Sequence, residues 1–385
     1  MISEIISLSK STEKQMIGYE ELKNLDFSRL AEANYSELLN KHEDTTVLHT
    51  FMSFVVERHL VFHKRYIERK ERPWTDDWVL RDNKFTNVYR ELDRGTVWLL
   101  DNIKGHDNQA EMLWNIFIYR WFNRVETMEK LGGYQKFEGW NYKTFYDRLK
   151  EIEYIQGGVF TSAHMVTGVN FSGESWGFGA GSKLKNYVWL INELKKKINE
   201  VLETIQENTS MEDLWLTLKK MNGIGSFVGY EIAVDINYCG IVNLDENEWA
   251  NPGPGCQRGI NWIFTNLGEP YIFGTEERYE IEYKTTIQQG NRDRAIQIMY
   301  WLQSIHAEYM RQYLDFDINS YYPYYPLTMR NIEHSLCEFQ KYFKTLLGIG
   351  KTKCGFAPTT NLPELKYDPH RPIRPSRQHE IDFPI

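Results

Sequence analysis

Hydrophobic positions recur along this chain at intervals of three and four, the period of helices that bury one face. From Thr46 to Lys70 the apolar residues Val47, Phe51, Phe54, Val55, Leu60 and Val61 follow it. The stretch ERPWTDD then breaks the pattern: Pro73 stops a helix, and Thr75 or Asp76 can cap the next. Further helices are predicted at about 84–101, 108–128, 142–152, 184–207, 211–221, 226–237, 291–313 and 329–347. Two glycine-rich stretches, Gly168–Gly181 and Asn251–Gly259, read as loops, and 268–290 reads as extended or irregular. No internal repeat is present. The organisation expected is an N-terminal cap over 1–42, a helical catalytic domain of two lobes over 43–357, and an extended tail over 358–385. That tail carries several prolines with Lys366, Arg371, Arg374 and Arg377. The fold class is mostly α, with little sheet.

Composition narrows the function classes. Tyr, Phe and Trp make up 15% of the 385 residues, enough to fill large helical cores and to stack on bases. A net charge of −8 excludes a nonspecific basic coat and allows only a local cationic groove. No apolar run is long enough to span a membrane, and the first residues, MISEIISLSKSTEKQ, do not form a signal peptide. The four cysteines, at 239, 256, 337 and 354, make no CxxC pair and no iron–sulfur spacing, so reduced thiols in a cytoplasm are expected.

The most informative segment is KKMNGIGSFVGYEIAVDINYCGIVNLD, residues 219–245. A helix ending at Met221, a turn through Gly223, Ile224 and Gly225, and an amphipathic helix from Ser226 direct backbone N–H groups outward. Such a row can grip a nucleic-acid phosphate without reading sequence. Taken alone, a glycine pair that merely caps a helix explains the turn equally well. Asp245, twenty residues beyond Gly225, shifts the balance toward DNA. The span resembles the helix-hairpin-helix of base-excision DNA glycosylases, in which a catalytic aspartate follows at about this distance.

Four other clusters could carry chemistry. On a helix over 84–98, Asn87, Arg90 and Arg94 share one face with Asp93 close by. This is either a solvated ion-paired face or a semi-buried set of guanidinium groups suited to phosphate. Arg120 and Asn123 lie within the apolar run WNIFIYRWFN and need partners, either structural or in a pocket. The segment GPGCQRG (Gly253–Gly259) offers a tight turn with exposed N–H groups beside Arg258, or a plain surface turn. In MRNIEHSLCEFQKY, His334 and Lys341 follow helical spacing, and Lys351 and Lys353 lie in a later glycine-bounded turn. GFGAGSK lacks P-loop spacing, and neither HExxH nor GxSxG occurs. His59 and His63 are one turn apart without a third ligand, so no metal site is assigned.

In combination, RPWTDD, KFTNVYRELDRGT, FIYRWFN, LKKMNGIGSFVGYEIAVDINY, the GPG turn with Arg258, and RNIEHSLCEFQKY resemble one family over roughly residues 70–356. It is that of the α-glutamyl/putrescinyl-thymine pyrophosphorylases, the amino acid:DNA transferases of bacteriophages. A similar helical domain is attached to the 5-hydroxymethyluracil DNA kinases. Those kinases carry a further P-loop domain, so the resemblance favours the transferases. It implies a helix-hairpin-helix, glycosylase-like helical fold and a reaction on DNA in the cytoplasm of a phage-infected host. An upstream kinase pyrophosphorylates 5-hydroxymethyluracil, and an amino acid or polyamine amine then displaces diphosphate from the thymine methyl carbon.

That chemistry asks for an extruded base, fixed cations for the departing diphosphate, and an acid that holds the incoming ammonium and takes its proton. Asp245 is the first choice for the acid and Asp93 the second. Arg90, Arg94, Arg120 and Arg258 are candidates for the diphosphate, with His334 and Lys341 beside them, and Asn87 for the uracil edge or a phosphate. Gly223, Ile224, Gly225, Ser226, Lys351 and Lys353 are assigned to the DNA backbone. A divalent ion such as Mg could bridge the diphosphate, though no ligand cluster demands one. A DNA glycosylase acting on a modified base and a non-catalytic DNA-binding module are the competing readings.

Overall fold

The computed structural model describes residues 46–161, 183–264, 289–318, 326–346 and 348. Lys351, Lys353, the glycine-rich stretch 168–181, most of 268–290, the N-terminal cap 1–42 and the tail 358–385 lie outside the described residues. Among the described residues regular structure is helical throughout, and no strand occurs. Thr46–Phe62 forms α1, which runs into a π-helical turn at His63–Ile67. Then follow α2 (Trp78–Asp82), a 3-10 turn (Arg90–Leu92), α3 (Arg94–Asn102), α4 (Gln109–Phe122), α5 (Val125–Lys130) and α6 (Tyr142–Gln156). The remainder are α7 (Lys183–Gln206), α8 (Met211–Lys219), α9 (Ser226–Tyr238), α10 (Pro254–Phe264), α11 (Gln289–Leu314) and α12 (Met329–Leu346). None is long and apolar enough to cross a membrane. The chain divides into two compact units, one formed by residues up to Arg90 together with those from Trp249, the other by Glu91–Glu248.

In the first unit α12 is the central element. Phe339 packs edge-on against Phe51 of α1 at 5.2 Å, and Phe54 meets Tyr342 at 4.8 Å. Asp77, rather than Thr75 or Asp76, caps α2: its Oδ1 accepts from the Val79 and Leu80 N–H groups. Its Oδ2 accepts from the Tyr342 hydroxyl at 2.6 Å, which ties the cap to α12. The GPGCQRG segment is not a turn with exposed amides. Pro254 occupies the first helical position, where its missing N–H costs nothing, and α10 begins there. A β-carbon at Gly255 would collide with Cys337 Sγ, and one at Gly259 with the Leu336 carbonyl. The glycines therefore serve close helix–helix approach.

In the second unit α4 is apolar on all sides, with every residue from Met112 to Phe122 buried. Such a helix must be surrounded, and Trp114 donates from Nε1 to Ile191 O of α7 at 2.9 Å. Asn108 caps its start by accepting from Glu111 N. Asn123 ends it in the left-handed region at φ 46°, a conformation asparagine tolerates better than most residues. The predicted helix over 108–128 is thus two helices, α4 and α5, with a sharp break at Asn123.

Candidate functional site

The segment 84–89 is not helical, so Asn87, Arg90 and Arg94 do not share a helix face. Side chains distant in sequence take the backbone and side-chain groups a helix would use. Arg58 donates to Phe85 O at 3.1 Å and to Asn87 Oδ1 at 2.5 Å. Glu338 Oε2 accepts from Thr86 N at 3.3 Å, and Asn331 Oδ1 accepts from Arg90 N at 3.0 Å. Residues 86–90 therefore run antiparallel to α12, from above Glu338 back to above Asn331. The seven steps of α12 from Asn331 to Glu338 rise about 10 Å, within reach of the four extended steps from Thr86 to Arg90.

α12 is unusually polar for a buried helix. Arg330, Asn331, Glu333, Ser335 and Glu338 are all buried. Arg330 pairs with Glu333 at 2.6 Å, and Glu338 pairs with Lys341. Lys341 is thus already engaged by a carboxylate, and His334 is half-buried on the same helix. Three buried polar atoms, Thr86 Oγ1, Asn331 Nδ2 and Ser335 Oγ, have no hydrogen-bond partner among the described residues. Each such atom costs about 1–3 kcal/mol if nothing satisfies it. Lys344 adds to the chemistry on this helix. Burial lowers the pKa of its ammonium, and the nearby charge of Arg258 on α10 lowers it further.

In the second unit, α8 and α9 make the expected hairpin. Gly223 adopts φ 79°, where a side chain would be strained. Trp215 Nε1 donates to Ser226 O at 2.8 Å across the hairpin, and buried Ile224 fills the turn. A β-carbon at Gly229 would press Ile224 Cγ2 at 3.2 Å, so glycine lets the second helix approach without displacing that side chain. No side chain caps the start of α9 at Gly225, and within the turn Ile224 N donates to Met221 O at 3.2 Å. Leu216 and Phe227 stand exposed on either arm, and Lys219 Nζ lies over the Trp215 ring.

Asp245 is partly exposed, and its Oδ1 accepts from Asn247 N at 2.8 Å in an Asx turn. Asn237 of α9 holds the segment in place, donating to Leu244 O at 3.0 Å and accepting from Leu244 N at 2.8 Å. The other candidates in this unit differ in setting. Arg120 donates to Asp235 through Nε and, at 2.6 Å, through Nη2. Its Nη1 reaches Glu231 at 3.1 Å and Asn123 at 3.2 Å. Burial works against its charge, and Asp235 and Glu231 more than offset this and raise its pKa. Arg120 is thus paired with carboxylates of α9, and not with the 84–98 segment for which a structural pairing was one expectation. Arg94 is an exposed surface residue paired with Glu126 at 2.6 Å. Asp93 is buried at the N-cap of α3.

Sequence reasoning missed Arg58, Asn237, Asn331, Ser335 and Lys344, while Glu338 was within the helical cluster over 329–342. The interrupted segment at 84–90 gave no periodic sign of its partners. Among the described residues no three His, Cys, Asp or Glu side chains gather as a metal site. Burial raises the pKa of the thiols of Cys239 and Cys256 and pushes Cys337 up to about 12, which removes them as nucleophiles at neutral pH.

Residues 45–349 match the family model described as "5-hmdU DNA kinase, helical domain". The chain belongs to this family. A curated relative, the 5-hmdU DNA kinase of Bacillus phage SP10, is 31% identical over 258 residues, which cover 60% of this chain. The chain spans about 40% of that relative's length. No solved structure matches. For this helical-domain family the described helices of both units fall almost wholly within the matched range.

Proposed function

We propose that the chain acts in the hypermodification of 5-hydroxymethyluracil in DNA, as a transferase that joins an amine to the pyrophosphorylated base and releases diphosphate. The observation that carries the pathway is the match of residues 45–349 to the helical domain of the 5-hmdU DNA kinases. The transfer step is supported by the resemblance to the phage transferases and by the chemistry the residues offer. An amine attacks the methylene carbon attached to C5, the carbon–oxygen bond to the diphosphate breaks, and the amine's proton passes to a carboxylate. Arg258 and Lys344, with Arg90, hold the leaving diphosphate in this reading. Asp245 holds the ammonium and takes its proton. The hairpin turn over Gly223–Ser226 meets a strand phosphate in this reading, although the Ile224 amide itself donates to Met221 O, and DNA binding weakens with salt. The amine is an amino acid or a polyamine, and the kinase that pyrophosphorylates the base acts upstream.

A second reading, a glycosylase, is favoured by one observation: a glycine hairpin followed by partly exposed Asp245. One experiment separates the two. The full chain is incubated with a duplex carrying the pyrophosphorylated base and a mixture of amino acids and polyamines. Diphosphate release with a mass gain on the nucleoside supports transfer. An abasic site supports the glycosylase. In a parallel reaction on a duplex carrying 5-hydroxymethyluracil itself, phosphorylation of the hydroxymethyl group from added ATP, with no amine incorporated in the first reaction, would overturn transfer in favour of the kinase activity named for the relative.

A further inference from the structure

The orphaned polar atoms over α12 have a consistent chemistry. Arg90 N–H donates to Asn331 Oδ1, which fixes the orientation of that amide and leaves Nδ2 as a donor. Ser335 lies one helical turn further along the same face. Glu338 lies one turn beyond that and fixes Thr86, whose hydroxyl is the third orphan. Asn331 is fully buried and Ser335 nearly so, which makes their lack of partners among the described residues costly and therefore informative. The neighbouring carboxylate of Glu338 discourages an anion from sitting directly on these atoms. An amide donor and two hydroxyls, each able to donate or accept, fit a neutral edge of mixed donors and acceptors.

We infer that Asn331, Ser335 and Thr86 form a base-reading site for the acceptor–donor–acceptor edge of a uracil-type pyrimidine. The inference rests on the reading that this chain acts on 5-hydroxymethyluracil in DNA, and it assigns the element that selects that base. Asn331 Nδ2 donates to a ring carbonyl. A hydroxyl of Ser335 or Thr86 accepts from the ring N3–H. Cytosine presents an amino group where uracil has O4, and the fixed Asn331 donor opposes it. These are specificity residues, distinct from the cations and carboxylate that serve the displacement.

The test uses the full chain and two single-stranded oligonucleotides, identical except for one central base, 5-hydroxymethyluracil or 5-hydroxymethylcytosine. The wild type is expected to bind the uracil strand at least ten-fold more tightly. Asn331→Asp keeps the acceptor for Arg90 N–H and replaces the donor with an acceptor, so the ratio should fall to about one or invert. Ser335→Ala, a smaller change that keeps the helix, should lower the ratio several-fold. A wild type without preference, or folded variants that keep the full ratio, would overturn the inference. Diphosphate release, measured in parallel on the same strand carrying the pyrophosphorylated 5-hydroxymethyluracil with amines added, separates the two claims. A base preference lost in Asn331→Asp, with no release by the wild type, keeps the reading site and sinks the transferase. Release without preference does the reverse.

Discussion

Arg120 in the second unit and the Asn331–Ser335 face in the first are both buried polar sites, yet they are completed differently. Arg120 meets two carboxylates and an asparagine from its own unit, so its charge is neutralised where it stands. The α12 face has well-made pairs at Arg330–Glu333 and Lys341–Glu338, and beside them donors that none of the described residues satisfies. A closed network holds a fold together. An incomplete one points to a ligand, because a persistent unsatisfied donor opposes folding unless function requires it.

The sharpest way to test that contrast is to break the closed network. Arg120→Met should cost about 3–5 kcal/mol, because it strands Asp235 and Glu231 as buried charges. Replacing Asp235 and Glu231 with apolar residues as well should recover much of the loss. Urea unfolding of the three proteins measures both effects. A single variant as stable as the wild type would mean that the network is not closed.

Acid tests the first unit in a different way. His306 of α11 donates from Nδ1 to Gln303 O and accepts at Nε2 from Leu327 N at 3.0 Å, which secures the approach to α12. Burial pulls its imidazole down to about 4, and His59 of α1 down to about 3. A folded-state pKa below the unfolded value means that this stability is complete above about pH 6.5 and is lost as pH falls toward 4. For His306 alone the loss is about 3 kcal/mol, roughly 2 of it between pH 6.5 and 5. His306→Asn should flatten the slope of stability against pH over that window, and a slope that does not change would count against the assignment.

Asp245 sets catalysis apart from architecture. Asparagine can accept from Asn247 N just as aspartate does, so Asp245→Asn should keep its stability within about 1 kcal/mol. In the proposed reaction the same change removes the proton acceptor and should slow amine transfer by about 100-fold or more. Unchanged turnover would leave Asp245 as a turn residue and move the role of base elsewhere.

The sequence was most legible where periodicity alone decides. The helices over 142–156, 183–206, 226–238 and 329–346 fall within a few residues of expectation; the first two bury an apolar stripe, whereas α9 and α12 are buried on nearly all sides. The hairpin turn was also legible, since Gly223 needs positive φ whatever packs around it. Residues 84–90 were not, because Arg58, Asn331 and Glu338 outbid their helical pattern from far along the chain. Glycine misled at 253–259 for a related reason. It signals both turns and close helix contacts, and only Leu336 and Cys337 show which applies. The same ambiguity covers the site: Asn331 and Ser335 look like ordinary helix residues until Arg90 and Thr86 lie over them.

Two small effects complete the series. Ser335→Ala removes an orphaned hydroxyl, so in the free protein it should be neutral or slightly stabilising, by up to about 1 kcal/mol. A larger loss would mean the hydroxyl already has a partner, and the contrast with Arg120 would fail. Arg94→Ala should be smaller still. Its side chain is 65% exposed and pairs with Glu126, itself 43% exposed, a setting worth only about 0–1 kcal/mol and screened by salt. Arg94, Arg120 and Arg90 are one residue type in three settings: a solvated pair, a closed buried network and a segment pinned over α12. If Arg94→Ala cut amine transfer as deeply as Asp245→Asn while leaving the unfolding midpoint in place, the exposed arginine would belong to the diphosphate site after all. Unchanged transfer would confine the cations of the reaction to the first unit, around Arg258 and Lys344.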